Sequence, residues 1–329
     1  MIWEILGNMR AYILRRLGLA VPSLFIVTVV LFLIIRLIPG SIIDIMVTEH
    51  VFGSASDMKV TADLIREQMG LDKPVYEQYG KWVWNILSKG DLGKSMWNNQ
   101  SVRTEIGQRL PVSFELGIMA IIVALVIAIP IGIYSGIRQD TAGDYVARSF
   151  GILCICLPSF WIGTMVMVFP SIWWNWVPSM ELIPFTKDPL GNLGMFILPA
   201  IILGMATSGT TMRMTRTMML EILRQDYIRT AWSKGLKERI VVMRHALKNA
   251  LIPVVTLIGI NIPVLVGGSV IIEQIFVLPG MGRLLLDAIS QRDYTVVSGV
   301  NAVVAAFVLA TNLVVDMTYG FLDPRIHYR

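Results

Sequence analysis

Six stretches of this chain, 17–38, 112–136, 149–170, 194–212, 250–272 and 296–320, stay apolar for about the length of a membrane span. A helix needs roughly 20 apolar residues to cross about 30 Å of hydrocarbon. The residues are 55% hydrophobic and only 16% charged, where soluble domains run nearer a quarter charged. The fold class expected is therefore all-α: a polytopic membrane protein with six transmembrane helices. Segment 17–38 is too long for a signal h-region, and no small-residue cleavage site follows it, so it reads as a retained first span. Arg36, near its outer end, can snorkel to the interface. Prolines 22, 130, 158, 199, 253 and 263 fall in the spans. Two readings stand for them: kinked helices packed as a bundle, or broken helices lining a path. Cys154 and Cys156, two residues apart on a helix, point to nearly opposite sides, which suits packing rather than a disulfide or a metal pair.

Lysine and arginine give the direction of the spans. With a cytoplasmic N-terminus, the inner segments hold sixteen cations and the short outer loops three: Lys187, Arg283 and Arg292. The long loop 39–111 holds eight, but a loop of that length crosses largely regardless of charge. Both termini are expected inside, and 39–111 outside. Within that loop, TADLIREQM and PVYEQYGKWVWNILSK have the pattern of short amphipathic helices, the second with proline at its start.

The same loop carries Gly93-Lys94-Ser95, the ending of a phosphate-binding loop. The full motif requires glycine five residues before Gly93, where this chain has Ser88, and it requires a preceding strand. A helical pattern precedes it instead, so no nucleotide site is expected there.

Residues 213–250 form a basic segment with nine Lys/Arg and no apolar run long enough to span. Two helical pieces are expected, 215–234 and 236–249. The first sets Met218, Ile222, Leu223 and Tyr227 on one side; the second has Ile240, Val241, Met243 and Leu247. Gly235 between them fits a left-handed helix C-cap. The charge alone also suits a loop resting on anionic lipid. Tyr227, Trp232 and Leu236 among the charges lean toward a helix docked in a protein groove.

Several motifs then coincide. DYIRTAWSKGL (226–236) and HALKNALIP (245–253) echo an EAA-type loop signature. GLDKPVYEQY, GDLGKS, PGMGRLL, Arg292-Asp293-Tyr294 and Leu322-Asp323-Pro324-Arg325 accompany them. Together, over nearly the whole chain, they resemble the permease subunits of dipeptide/oligopeptide/nickel-type ABC importers, the type with a long external loop after the first span. The chain departs from that pattern at Ser41-Ile42, Arg229, Thr230, Trp232 and Leu278. The resemblance implies a type I ABC importer permease fold with a small helical external insert. Its parts would be a cytoplasmic N-terminus and first span (1–38), the insert (39–111), a five-helix core (112–320) with a coupling loop at 213–250 and an external gate loop at 273–295, and a cytoplasmic tail (321–329).

The resemblance also implies a function: half of the path of an ATP-driven importer of di- or oligopeptides in a prokaryotic cell membrane, with nickel chelates or oligosaccharides as alternative cargo. The implied partners are a second, non-identical permease, two cytoplasmic ATPase subunits and an extracytoplasmic binding protein. No catalytic residue, metal site or cofactor is expected on this chain, ATP and Mg belonging to the ATPases. Arg229, Thr230, Ala231, Gly235, Leu236 and His245 would carry the ATPase contact, His245 being equally readable as a cap or packing residue. Glu273, Pro279 and Gly280 belong to the gate, with Pro279, Gly280 and Gly282 permitting its turns.

Small and polar residues within spans are path candidates: Ser208, Thr210, Asn261, Asn301 and Asn312. For the asparagines an interhelical hydrogen bond competes with that reading. Asp316 can pair with a cation such as Arg325. An intramembrane hydrolase is the rival from another class, but Ala206 stands where G-x-S-G needs its first glycine. His50, His245 and His327 fall outside the spans, and no H-E-x-x-H occurs.

Overall fold

The computed structural model describes residues 2–37, 63, 72–177 and 182–322. In chain order its main helices are α1 (Ile2–Leu37), α2 (Val75–Lys89), α3 (Val102–Ile137), α4 (Ala142–Cys156) and α5 (Ser159–Trp174). They continue as α6 (Pro189–Leu223), α7 (Asp226–Ser233), α8 (Leu247–Gly268), α9 (Val270–Ile275), α10 (Met281–Ser290) and α11 (Tyr294–Leu322). Among the described residues there is no strand, only one isolated antiparallel bridge between Lys94 and Ser101. The expected helix over TADLIREQM, the Asp316–Arg325 pair, His50 and His327 lie outside what is described.

Among the described residues, four helical stretches are long and apolar enough to cross a membrane: Val102–Ile137, Pro189–Leu223, Glu238–Pro263 and Tyr294–Val315. The third expected span is not one helix. It breaks between α4 and α5 with an 87° bend, and counts as a fifth crossing only if the pair is one span. Pro158 explains the break: it has no N–H to donate and drives Leu157 out of the helical region, to φ −81° and ψ 117°. Pro22, Pro130, Pro199, Pro253 and Pro263 remain inside their helices. The first expected span corresponds to a shorter apolar stretch, Gly18–Ile34.

Two helices overrun the expected spans. α3 starts at Val102 rather than at 112, because Arg103, Glu105, Gln108 and Arg109 lower hydropathy without opposing helix. α6 runs 35 residues, about 50 Å at 1.5 Å per residue, so its basic end past 212 is a continuation of the helix. The piece expected over 215–234 is therefore two elements, the end of α6 and then α7, separated at Arg224 and Gln225.

The chain forms two compact units. One comprises residues 1–13, 111–283 and 310–329, the other 14–110 and 284–309. The described residues of the first include two apolar centres. Leu116, Phe196, Ala200, Ile272, Phe276 and Leu278 are buried together, joining α3, α6 and α9. Met219, Ile228, Val241, Val242, Ala246 and Ala250 form the other centre, under α7. Helices α4 and α6 approach closely at paired glycines: a Cβ on Gly209 would stand 2.6 Å from the Gly151 carbonyl oxygen. Cys154 is buried and Cys156 exposed, as their spacing requires.

In the second unit, Pro74 precedes α2 and Gly90 ends it at φ +61°. Tyr79 and Trp82 of α2 pack on Phe32 of α1, with ring centroids 5.2 and 5.7 Å away. The Tyr79 and Thr28 hydroxyls stand 2.9 Å apart.

Candidate functional site

The basic segment folds into an elbow. α7 carries its charges and Trp232 outward and buries Ile228 and Ala231 on its inner side. Gly235 closes the helix at φ +72°, with its N–H donated to the Trp232 carbonyl and the Leu236 N–H reaching back to Ala231. A Cβ there would meet nothing within 4 Å, so glycine serves the left-handed backbone and not a close approach. After Lys237 the chain turns into Glu238–Ile240, widens into a π-helical run at Val241–Ala246, and passes without a gap into α8.

The inner face of the elbow is locked. Val241, Val242, Ala246, Leu247 and Ala250 pack with Ile228, Ala231 and Met219, supported by Ile133 and Ile137 of α3. Asn249 Nδ2 donates to the Tyr227 hydroxyl at 2.8 Å. Six residues were expected at this surface. Arg229, Thr230 and Gly235 are exposed, while Leu236 and His245 are half-buried. Ala231 is buried, so it acts as packing beneath the surface and not as part of it. Tyr227, Ile240 and Met243, expected on apolar faces, are exposed, because the break at Gln225 and the π turn shift the helical phase.

The segment from 269 to 283 is built around one carboxylate. Glu273 is fully buried. Its Oε1 accepts from the Ser113 and Ser269 hydroxyls, both at 2.7 Å, and its Oε2 accepts from the Arg283 N–H at 3.0 Å. Ser113 Oγ in turn accepts from the Met281 N–H at 2.8 Å. Thus one residue of α3, two elements and the turn between them share a polar centre inside apolar packing.

The glycines work differently from the expectation. Neither Gly280 nor Gly282 has positive φ; the left-handed residue is Val277 at φ +56°, a costly conformation for a β-branched side chain. Gly280 is needed because a Cβ would fall 2.3 Å from the Glu273 carboxyl carbon, and at Gly282 it would fall 2.7 Å from the Val270 Cα. Glu273 and Gly280 are thus in contact, with Pro279 beside them in the turn.

The path candidates do not form such a centre. Ser208 is buried and donates to the Met205 carbonyl at 2.7 Å, and Thr210 donates to the Thr207 carbonyl at 2.9 Å. Asn261 donates to the Leu257 carbonyl at 2.7 Å, and Asn301 to the Val297 carbonyl at 2.9 Å. Each of these bonds stays on its own helix; for Asn261 and Asn301 the side-chain amide goes to the carbonyl four residues back.

Two polar centres escaped sequence reasoning. Asp144 of α4 is fully buried. It accepts two bonds of 2.9 Å from the Arg216 guanidinium of α6, one from the Ser135 hydroxyl of α3 and one of 3.0 Å from the Asp140 N–H. Three helices are pinned there. The local signal was Thr141 capping the Asp144 N–H; nothing local pointed to Arg216.

In the second unit, Asp293 accepts from the Ser95 hydroxyl at 2.6 Å and from the N–H groups of Met96 and Val296 at 2.9 and 3.1 Å. Trp97 Nε1 donates to the Gln291 carbonyl at 2.8 Å. The serine of Gly93-Lys94-Ser95 is therefore a structural tie to the 291–296 turn, and the element before the motif is a helix where a nucleotide loop needs a strand.

The described residues form a core of membrane-length apolar helices with a glycine-turned elbow between two of them. The solved structure titled as an amino acid ABC transporter with histidines shares the fold at TM-score 0.50 and 13% identity, over 66% of this chain and 94% of that one. Residues 128–328 match the family described as the binding-protein-dependent transport system inner membrane component, and 9–117 match its N-terminal membrane component. The chain belongs to this family. It is 37% identical to the dipeptide transport system permease DppB of Escherichia coli, over 98% of this chain and all of that one. It is 36% identical to the oligopeptide transport system permease AppB of Bacillus subtilis, over 97% and 100%. A Brucella suis protein whose name assigns it to peptide transport as a permease is 40% identical over 97% and 100%.

Proposed function

We propose that this chain is a permease subunit of an ATP-driven peptide importer, forming half of the path and receiving its stroke from a separate ATPase. The observation that carries the reading is the elbow: an exposed basic surface at Arg229, Thr230 and Gly235, over an apolar base continuous with α3, α6 and α8. A surface mounted this way transmits displacement to the spans as a rigid body. Both termini then lie in the cytoplasm. Leu236 and His245 complete the contact from its rim. A second, non-identical permease supplies the other half of the path, two ATPase subunits bind ATP and Mg, and an extracytoplasmic binding protein delivers cargo. The relatives named above carry peptide names, which favours peptides over nickel chelates or oligosaccharides.

In this reading the turn at 276–282 is the outer gate and Glu273 is its latch. Closure of the ATPases moves the elbow, α6 and α8 follow, and the polar centre at Glu273 keeps the gate attached to α3 through Ser113. Gly235→Pro is the test. Proline cannot adopt φ +72° and removes the N–H given to Trp232, so the elbow surface is lost while the spans remain. Peptide uptake in proteoliposomes holding the whole transporter should fall to background with normal membrane insertion. Uptake at the wild-type rate overturns the assignment.

A further inference from the structure

We propose that the cleft between α4 and the basic half of α6 binds the phosphate head of an anionic phospholipid. The cleft is a cavity of about 360 Å³. The glycine contact at Gly151 and Gly209 brings the two helices together along it. Arg148, Arg213 and Arg216 line the part nearer Asp144, and Ile152 and Ile155 follow Arg148 one and two turns further along α4. The isoleucine side chains, like those of Tyr145, Val146 and Leu153 nearby, are exposed on a helix read as part of a span. A site with guanidiniums at one end and open apolar walls beyond them has the polarity of a phospholipid standing in a leaflet.

The charge count favours an anion. Three guanidiniums, Arg148, Arg213 and Arg216, meet one buried carboxylate, with Asp140 the next acid. That carboxylate, Asp144, is taken up by the paired bonds from Arg216. Arg148 stands 3.7 Å from Asp144 Oδ2 and lies over the Tyr145 ring at 4.4 Å, and its buried Nε has no hydrogen-bond acceptor. Among the described residues no carboxylate pairs with Arg213. A lipid phosphate would meet the part of the Arg148 side chain that stays exposed, together with Arg213, and its chain would run along Ile152 and Ile155. Free phosphate would leave that apolar wall uncovered.

The inference rests on the orientation proposed above, which puts the arginines at the cytoplasmic leaflet. The test is native mass spectrometry of the intact transporter, released from micelles containing phosphatidylglycerol or phosphatidylcholine of equal chain length. Wild type should retain phosphatidylglycerol in preference. Arg148→Gln with Arg213→Gln should weaken retention roughly fivefold for each cation, about 30-fold together. Arg148→Lys with Arg213→Lys should restore it, which separates charge from misfolding. Equal retention of both lipids, or no change in the glutamine variant, overturns the site. So does cross-linking from Ile152→Cys to the second permease instead of to lipid. Impermeant thiol labelling of Thr217→Cys in a Cys156→Ser chain tests orientation separately; labelling from outside overturns the orientation and leaves the binding data to judge the site.

Discussion

Replacing Gly280 by alanine tests the account of the 269–283 segment most directly. The new methyl carbon would stand 2.3, 2.4 and 2.5 Å from Cδ, Oε2 and Oε1 of Glu273. Van der Waals contact begins near 3.5 Å, so the carboxylate must retreat by about 1 Å. Its bonds of 2.7, 2.7 and 3.0 Å would then stretch past useful length. At about 1 kcal/mol net for each of the three bonds and about 1–3 kcal/mol for overpacking, Gly280→Ala should cost roughly 4–6 kcal/mol. Glu273→Ala removes the obstacle and the same bonds, at roughly 2–4 kcal/mol. Combined with it, Gly280→Ala should add little, because the methyl now has room. The double-mutant cycle should therefore show a coupling close to the whole cost of Gly280→Ala, about 4–6 kcal/mol. The assay is the denaturation midpoint of the purified transporter for the four chains. If the two changes prove additive, the carboxylate does not fill the space over Gly280 and the reasoning fails.

Asp144→Asn should cost about 3–5 kcal/mol, since it leaves the largely buried Arg216 without its anion; Asp144→Leu with Arg216→Met should cost less than either change alone, read as the same midpoint. Ser95→Ala should cost about 1–2 kcal/mol and Asp293→Ala more, with faster amide exchange confined to 94–101 and 291–297. Gly235→Ala meets only backbone strain, so it should lower stability by about 1–2 kcal/mol and keep expression normal.

Much of the architecture was legible because the signals are local. Hydropathy marked the apolar cores of the helices, and Gly235 showed its turn by type and position. Span edges were less legible, since Arg103, Glu105 and Arg213 continue a helix as readily as they end a hydrophobic run. Pro158 could not be told from Pro130 or Pro199, because whether proline kinks or breaks a helix depends on neighbours distant in sequence. The polar centres failed for the same reason. Ser113 and Glu273 are 160 residues apart, Asp144 and Arg216 72, and Ser95 and Asp293 198. Each reads singly as an ordinary surface or span-end residue; only the fold makes them pairs. Gly280 was read as a turn former because sequence shows flexibility more easily than crowding.

The winding between Gly235 and α8, π-helical at Val241–Ala246, makes the aim of the elbow a matter of chain length. An α-helix advances about 100° per residue, and a π turn holds one residue in excess of that count. Deleting any one residue there would restore ordinary winding within the same rotation and leave Gly235 near its present azimuth, whereas deleting one residue from the first α-helical turns of α8 would swing it by about 100° around that axis. Composition within 241–246 can vary without changing that azimuth. One residue lost from the first turns of α8 would keep every side chain of 226–240 and turn that surface away from its present direction.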